Sequence, residues 1–309
     1  MTGILRVIEP GLFTTIQDLG RPNAIASGVS PGGAMDRFAH KAANLLVGNE
    51  PGAATLECTL RGPHLVAEQD CLVAIAGADL GPRVNGDPVE TWTALELRAG
   101  DALTFGTRRE GARAYVAIGG GVAGDRWLGS LSTNLVATRG GMRGRPLRAD
   151  DVIAAAAEPV RAVAQRRLAP HLRPDYAEHE LHVIAGPHFK RLDKVGATAL
   201  FGSTFAVSHE ADRMGYRLDG PALDAPGDEV LSFGLVAGAI QLPAGGPIML
   251  MADHQTAGGY PVVAAVVSAS LPIAAQLAPG DELRFAEVSL AAAAELRHAR
   301  DAALASLRG

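Results

Sequence analysis

The stretch PIMLMADHQTAGGYPVVAAVV, residues 247–267, places a polar loop between two apolar segments. Short apolar segments bounded by Gly, Pro or Asp are typical of buried β-strands. The sequence therefore predicts a strand on each side of the loop and places Asp253 and Gln255 at a sheet end. Functional side chains gather on loops that a rigid scaffold positions, and Gly258-Gly259 permits an unusual turn. We therefore take this loop as a candidate functional segment.

The same strand pattern recurs along the chain. Further strands are predicted at 71–77, 113–121 and 181–186. The 37 glycines suit a protein with many tight turns and bulges. The fold class that these patterns predict is mainly β with a few helices.

Two segments carry helical patterns instead. In 34–49, the residues Phe38, Ala42, Leu45 and Leu46 share one face, and Gly48 is placed to end the helix. The segment 289–307 is rich in strong helix formers, and its first residue is a suitable N-cap.

Composition narrows the class of protein. The chain has 309 residues, 48% hydrophobic and 20% charged, which is ordinary for a globular protein of two domains. The net charge of −5 and the lack of a polybasic run argue against nucleic acid and anionic membrane as partners. The apolar segments are shorter than the ~20 residues that span a bilayer. With no signal-peptide pattern and two isolated cysteines, a cytoplasmic location is expected.

A weak internal repeat indicates two domains. LRAGDALTFG (97–106) and LAPGDELRFA (277–286) share a Gly-Asp turn that leads into a strand. Such turns are also common in unrelated proteins, which is the competing explanation. We predict β-rich domains at 1–153 and 177–287, a linker at 154–176 and a C-terminal helix within 288–309.

Several common site motifs are absent or incomplete. GGGVAG (119–124) matches G-x-G-x-x-G but is not followed by a helical pattern, which argues against a dinucleotide site. Neither a phosphate-binding P-loop nor a G-x-S-x-G elbow is present. His179 and His182 would point to opposite faces of a strand, so no metal site is predicted.

Four polar clusters remain as candidate sites. The first, within 14–38, contains Gln17, Asp18, Arg21, Pro31, Gly32 and Asp36. Amides at its helix start could hold an anion, or Asp36 could be an ordinary cap. The second, 138–148, has four arginines including Arg145, which could grip an anion or form a solvated loop. The third, 211–221, has Asp212 and Arg213, which could bind an acidic substrate or form a salt bridge. The fourth is the opening loop.

Together these clusters resemble one family. VIEPGLFTTIQDLGRP, GVSPGGAMDRFAHKAANLLVGNEPGAATLE, LGSLST, GGMRGRPL, DRMGYRLDGP and DHQTAGGYPVVAAV are similar to the KipA / allophanate hydrolase subunit 2 family, over about residues 4–286. The family includes the C-type component of bacterial 5-oxoprolinase and half of the carboxyltransferase domain of urea carboxylase. The resemblance implies two tandem cyclophilin-like β-barrels.

The resemblance also implies an activity and partners. It implies pairing with a KipI-like (B-type) chain and a third, A-like chain in the ATP-dependent opening of 5-oxo-L-proline to L-glutamate. An alternative is transfer of carboxylate from carboxybiotin on a partner to a urea-like amide. Another alternative is a non-catalytic KipA-type antagonist of a KipI-like kinase inhibitor. ATP is expected at the level of the complex.

Some positions depart from the family pattern. Leu131 stands where Arg is common, Phe233 where Glu is common, and Ala257 where Thr is common. Loss of an arginine and a glutamate would matter if those residues act on substrate.

Chemistry at an amide carbonyl needs a stabilised oxyanion and an acid or base near nitrogen. The residues expected to stabilise an oxyanion or carboxylate are Arg145 and Arg213, aided by amides around Gly32 and Gly259. The candidate bases are Asp253 and Asp212. The small amide substrate is expected to be oriented by residues of the first and fourth clusters: Gln17, Asp18, Arg21, Pro31, Gly32, Asp36, Gln255, Thr256, Gly258, Gly259 and Tyr260.

Overall fold

The fold is described from a computed structural model. The structure describes residues 3–158, 165–227 and 230–308. The chain divides into two compact units: unit 1 comprises residues 1–21, 32–176 and 301–309, and unit 2 comprises residues 22–31 and 177–300. The predicted mainly β class is confirmed.

Unit 1 consists of two antiparallel sheets around one core. The strands are β1 (Gly3–Glu9), β2 (Phe13–Gln17), β3 (Thr55–Thr59), β4 (His64–Ala67), β5 (Cys71–Asp79), β6 (Pro82–Val84), β7 (Asp87–Pro88), β8 (Thr93–Leu97), β9 (Ala102–Phe105), β10 (Glu110–Ile118) and β11 (Val152–Ala154). One sheet has the order β11-β1-β4-β9-β6-β7 and the other β2-β3-β10-β5-β8.

Alternate side chains of the five-stranded sheet point to its two faces, of which one packs on the other sheet and one on a helix. In β3 and β10, Leu56 pairs with Val116 and Cys58 with Ala114, and all four side chains enter the apolar core between the sheets. Successive side chains of a strand point to opposite faces. The intervening residues of the five-stranded sheet therefore face away from that core, toward a helix.

The helix on that face is α1 (Arg37–Leu46), which lies within the predicted 34–49. Phe38, Ala42 and Leu46 are buried against the sheet, as their spacing predicts. Gly48 follows with a φ of 78°, a left-handed conformation that suits the end of a helix.

Unit 2 contains a closed seven-stranded barrel in the order β12-β19-β16-β17-β14-β13-β20. Its strands are β12 (Glu180–Ala185), β13 (Phe205–Val207), β14 (Gly215–Asp219), β16 (Ala239–Gln241), β17 (Ile248–Leu250), β19 (Val262–Val266) and β20 (Glu282–Glu287). A separate ribbon joins β15 (Phe233–Gly234) to β18 (Ala257–Gly258). Its helices are α2 (Lys194–Gly202) and α3 (Leu271–Ala274), and the last helix, α4 (Leu290–Ala305), begins in unit 2 and has its residues from Asp301 onward in unit 1.

The stretch 247–267 forms β17, a loop that contains β18, and β19. The two predicted strands are present, but they are not neighbours, because β16 pairs with both of them. The loop therefore crosses the end of β16 and brings its polar residues beside Gln241 on that strand.

The remaining predicted segments lie as follows. Residues 165–176 of the predicted linker are part of unit 1, where Leu168 and Tyr176 are buried, while 159–164 lie outside the described residues. Ser289 accepts a hydrogen bond from Ala292 N at 3.2 Å, which confirms it as the cap of the last helix. No helix within the described ranges is long and apolar enough to cross a membrane.

Candidate functional site

Asp18 lies at the end of β2 and organises the polar centre of unit 1. Its Oδ1 accepts hydrogen bonds from Gly20 N at 2.7 Å and from the Ser130 and Ser132 hydroxyls at 2.6 Å each. Its Oδ2 accepts one from Leu131 N at 2.6 Å. The Asp18 side chain is therefore held both by its own turn, through Gly20, and by a loop that lies more than 110 residues further along the chain.

These donors keep Asp18 ionised. Burial opposes its charge, but the hydrogen bonds from Ser130, Ser132, Leu131 and Gly20 outweigh burial and hold the pKa of the carboxyl below its usual value. Three of the four donors reach Oδ1 and one reaches Oδ2, so contacts within the protein use most of the roughly four acceptor positions of a carboxylate. Asp18 is therefore an anchor for the loop at 130–132.

Arg21 and Trp127 lie beside this anchor. Arg21 Nη2 donates to the carbonyl of Ser132, and the guanidinium carbon is 4.9 Å from the centroid of the Trp127 ring. Gly140 permits this arrangement, because a Cβ there would lie 2.3 Å from the Ser132 carbonyl oxygen. Leu131, at the position where the family commonly has Arg, buries its side chain in the core of unit 1.

A cleft of about 330 Å³ opens next to Asp18. Arg126 lies at its edge, and glycines form much of its lining, namely Gly20, Gly52, Gly120, Gly121 and Gly129. Glycines expose main-chain amides and let a ligand approach closely. The cleft could accept a small polar molecule through backbone groups and one guanidinium.

Asp36 is the N-cap of α1, which decides between the two alternatives that the sequence left open. Its Oδ1 accepts from Ala39 N at 2.9 Å and its Oδ2 from the Tyr176 hydroxyl at 2.5 Å. The Asp36 amide donates to Tyr115 Oη at 2.7 Å, and Tyr115 donates to Glu57 at 2.8 Å. The Asp36 side chain is fully buried, so the prediction that it binds substrate gains no support.

The other members of the first cluster are separated. Gln17 is buried and donates to Thr15 at 3.0 Å, while no described residue donates to its Oε1. Gly32 has a φ of 62°, and the following Gly33 could not carry a Cβ without approaching the main chain of Leu19 and Gly20 to 2.8 Å. Pro31 belongs to unit 2.

Arg145 is engaged within the protein rather than exposed to a ligand. Its Nη1 and Nη2 each donate to Asp151 at 2.7 Å, and Nη1 also donates to Pro146 O at 2.9 Å. Burial raises the pKa of Asp151, but the hydrogen bonds from Arg145 and Arg148 lower it by more. The pKa of Asp151 is therefore below its usual value. The predicted role of Arg145 at an oxyanion is therefore not favoured by its contacts.

In unit 2, two residues expected to act in catalysis lie together. Arg213 Nε donates to Asp253 Oδ2 at 2.8 Å and Nη2 donates to Oδ1 at 3.2 Å. Their side chains are only 9% and 16% exposed, and Asp253 N donates to Arg213 O at 2.8 Å. A bidentate, largely desolvated pair fixes both groups in one orientation.

Asp212, the other candidate base, is exposed and stabilises its own turn. Its Oδ1 accepts from Met214 N at 2.7 Å and Gly215 N at 3.2 Å. Of the two aspartates, only Asp253 lies in the protected site.

A pair of glutamines adjoins the same loop. Gln255 Nε2 donates to Gln241 Oε1 at 3.0 Å, and Gln241 is buried with no described acceptor for its Nε2. A Cβ on Gly258 would lie 3.1 Å from that Nε2. An unsatisfied buried donor costs stability, so a ligand oxygen at this position would be favoured.

The rest of the loop is less protected. Thr256 uses its carbonyl to accept from Leu235 N at 3.0 Å, and Tyr260 is 53% exposed. A Cβ on Gly259 would lie 2.8 Å from Val230 O, so glycine is required there by a close main-chain approach. Phe233, where Glu is common in the family, lies 5.2 Å from the His188 ring.

The sequence did not single out several buried polar residues. Gln241, His254, Glu57 and Tyr115 are each at most 2% exposed. Their signal is a polar residue inside an apolar strand segment, as in GAIQLP. Within the described residues, no group of three or more His, Cys, Asp or Glu side chains could hold a metal ion.

Comparison with known proteins agrees with this architecture. Residues 27–287 match the family described as the carboxyltransferase domain, subdomain A and B. The 5-oxoprolinase C subunit of Escherichia coli is 35% identical over 297 residues, which cover 95% of this chain and 94% of that protein. The 5-oxoprolinase C subunit of Haemophilus influenzae is 33% identical, with 99% and 98% covered.

A solved structure supports the same relationship. The crystal structure of the Kluyveromyces lactis urea amidolyase superposes with a TM-score of 0.92 at 27% identity. The match covers 99% of this chain and 20% of the amidolyase chain. This chain belongs to the carboxyltransferase domain, subdomain A and B family.

Proposed function

We propose that this chain is the C subunit of an ATP-dependent 5-oxoprolinase, which opens the lactam of 5-oxo-L-proline to L-glutamate. The observation that carries the proposal is the match with two 5-oxoprolinase C subunits over 94% and 98% of their lengths. The urea amidolyase, by contrast, is matched over one fifth of its chain.

The protected pair in unit 2 suits a lactam substrate. Arg213 holds the Asp253 carboxylate through two hydrogen bonds, which leaves lone pairs on both oxygens for a ligand N–H. In this role Asp253 accepts the lactam N–H and stabilises positive charge that develops as nitrogen gains a proton. Arg213 holds the carboxylate in one orientation.

The neighbouring amides suit the lactam oxygen. Gln255 fixes the Gln241 side chain by donating to its Oε1, so Nε2 is oriented as a donor. A substrate carbonyl or carboxylate that reached this Nε2 would satisfy it, and a Cβ on Gly258 would crowd it at 3.1 Å. Gln241 and Gln255 are therefore substrate-positioning residues in this proposal.

ATP belongs to the complex in this proposal. This chain has no G-x-x-x-x-G-K-[ST] sequence, so we assign no step through ATP to its residues. The partners proposed are a KipI-like, B-type chain and an A-like chain.

The second candidate is the carboxyltransferase half of a urea carboxylase. The observation in its favour is the superposition with the urea amidolyase over 99% of this chain. In that reaction carboxybiotin, carried by a partner, would supply the carboxyl group.

The test is reconstitution with candidate B-like and A-like chains from the host. We expect 5-oxoproline-dependent release of glutamate and ADP that requires all three chains. Capture of a biotinylated partner, together with carboxylation of urea and no glutamate release, would replace the first proposal with the second.

A further inference from the structure

Unit 1 has a second cleft, of about 780 Å³, that does not involve Asp18. Its charged lining residues are Asp79, Glu90, Arg109, Arg167 and Arg173. Clefts of about 300–1,000 Å³ are the usual size for small-molecule sites. None of these residues was singled out in the sequence, because they come from four separate segments.

Two of the five charges already compensate each other. Arg109 Nη1 lies 3.3 Å from Asp79 Oδ2, and Asp79 Oδ1 accepts a hydrogen bond from Gly81 N at 2.8 Å. This pair therefore adds little net charge to the cleft.

Arg173 is held rigidly in the wall. Its Nε and Nη2 donate to Leu168 O at 3.0 and 2.7 Å, and its guanidinium carbon is 5.9 Å from the Trp92 ring centroid. No described residue accepts a hydrogen bond from its Nη1. A guanidinium that is fixed in this way loses little entropy when it binds an anion.

Arg173 lies within the electrostatic influence of both remaining charges. Burial lowers the pKa of Arg173, Glu90 raises it, and the positive charge of Arg167 lowers it again. Arg167 is exposed, and no described residue pairs with its side chain. Besides the Arg109–Asp79 pair, the cleft thus holds two guanidinium groups and one carboxylate, an excess of one positive charge.

A complementary ligand carries the opposite pattern, two anionic groups and one cationic group. A polyphosphate matches less well, since it has no cationic group to place on Glu90. We propose that this cleft binds an acidic α-amino acid, with its two carboxylates on Arg167 and Arg173 and its ammonium group on Glu90.

The binding claim rests on the charges of the cleft alone. A regulatory role for this binding rests on the proposed function, in which L-glutamate is the product. The product would then bind in unit 1 and regulate the complex, whereas Asp253 lies in unit 2.

The test uses the full chain and isothermal titration calorimetry with four ligands. We expect binding of L-glutamate, with affinity at least about tenfold lower for L-glutamine, which lacks one carboxylate, and for glutarate, which lacks the ammonium group. Equal affinities for all three ligands would overturn the proposal. Absence of glutamate binding at roughly 10 mM, a weak limit for a two-carboxylate ligand, would overturn it as well. 5-Oxo-L-proline serves as the fourth ligand, because its binding should not respond to changes in the cleft.

Two variants and a matched control locate the site. Arg167→Gln should weaken glutamate binding by at least about tenfold, and Glu90→Gln should weaken glutamate but not glutarate. Arg83→Gln, an exposed arginine outside the cleft, should leave both unchanged. Glutamate affinity that is equal in Arg167→Gln, Glu90→Gln and Arg83→Gln would refute the assignment. Because binding is measured without partner chains, failure of the reconstituted reaction would leave this result intact.

Discussion

Replacing Asp18 with alanine should destabilise unit 1 strongly. The change removes four hydrogen bonds of 2.6–2.7 Å to an ionised, buried carboxylate and leaves the Ser130 and Ser132 hydroxyls and two main-chain amides without their acceptor. Hydrogen bonds to charged groups contribute about 1.5–3 kcal/mol each and are not additive, so we expect a loss of about 4 kcal/mol.

Tryptophan fluorescence during urea unfolding measures this loss selectively. The chain has two tryptophans, Trp92 and Trp127, and both lie in unit 1. With a slope of about 2 kcal/mol per molar urea, the midpoint should fall by about 2 M. Asp87→Ala, at an exposed aspartate of the same unit, should leave the midpoint unchanged within about 0.3 M.

The pH dependence supplies a second check on Asp18. Its pKa is lower in the folded state than the usual 3.8, so its stabilisation is complete above that value and is lost as pH falls through the folded-state pKa. The difference between wild type and Asp18→Ala should therefore be constant near neutral pH and narrow below about pH 3.9. A loss smaller than about 1 kcal/mol at pH 7 would refute the anchoring role.

Three further predictions concern other sites. Gly258→Ala should reduce kcat/KM at least about tenfold with a stability loss below about 1.5 kcal/mol, because the new Cβ would lie 3.1 Å from Gln241 Nε2 and 3.0 Å from Leu235. Unchanged kinetics would exclude Gln241 Nε2 from substrate binding. Burial lowers the pKa of His40 to about 3 from 6.5, so neutral His40 stabilises the fold fully above pH 6.5 and progressively less below it. His40→Gln should therefore reduce the loss of stability between pH 6.5 and 5, measured by urea titration. An unchanged dependence on pH would contradict this. Leu131→Arg should cost about 2 kcal/mol, because Leu131 packs in the core of unit 1, although it also lines the cleft beside Asp18. A stable variant with higher activity would instead show that this position faces substrate.

Local patterns sufficed for much of the fold. Short apolar segments bounded by turn residues predicted the strands at 71–77 and 113–121, and amphipathic spacing predicted α1, because each of these signals lies within a few residues. The insertion of β16 between β17 and β19 could not be inferred, because strand order depends on contacts between distant segments.

The candidate site was predictable only in part, because its residues come from segments that are distant in sequence. Asp253 and Arg213 were each identified from their own loops, but their pairing across 40 residues required the structure. Asp18 was expected at a substrate, whereas its partners are Ser130 and Ser132, which no local pattern connects to it. The guanidinium of Arg145 was expected to bind an anion, and it donates to Asp151, a contact within the protein that the sequence did not identify.

The most direct measurement of the central claim is the rate at which the reconstituted complex releases glutamate from 5-oxo-L-proline, with the wild-type chain or Asp253→Asn. We expect kcat to fall by about 100-fold or more, because asparagine removes the charge that faces the lactam nitrogen, while assembly of the complex is unchanged. An Asp253→Asn complex that assembles and releases glutamate at the wild-type rate would contradict the account.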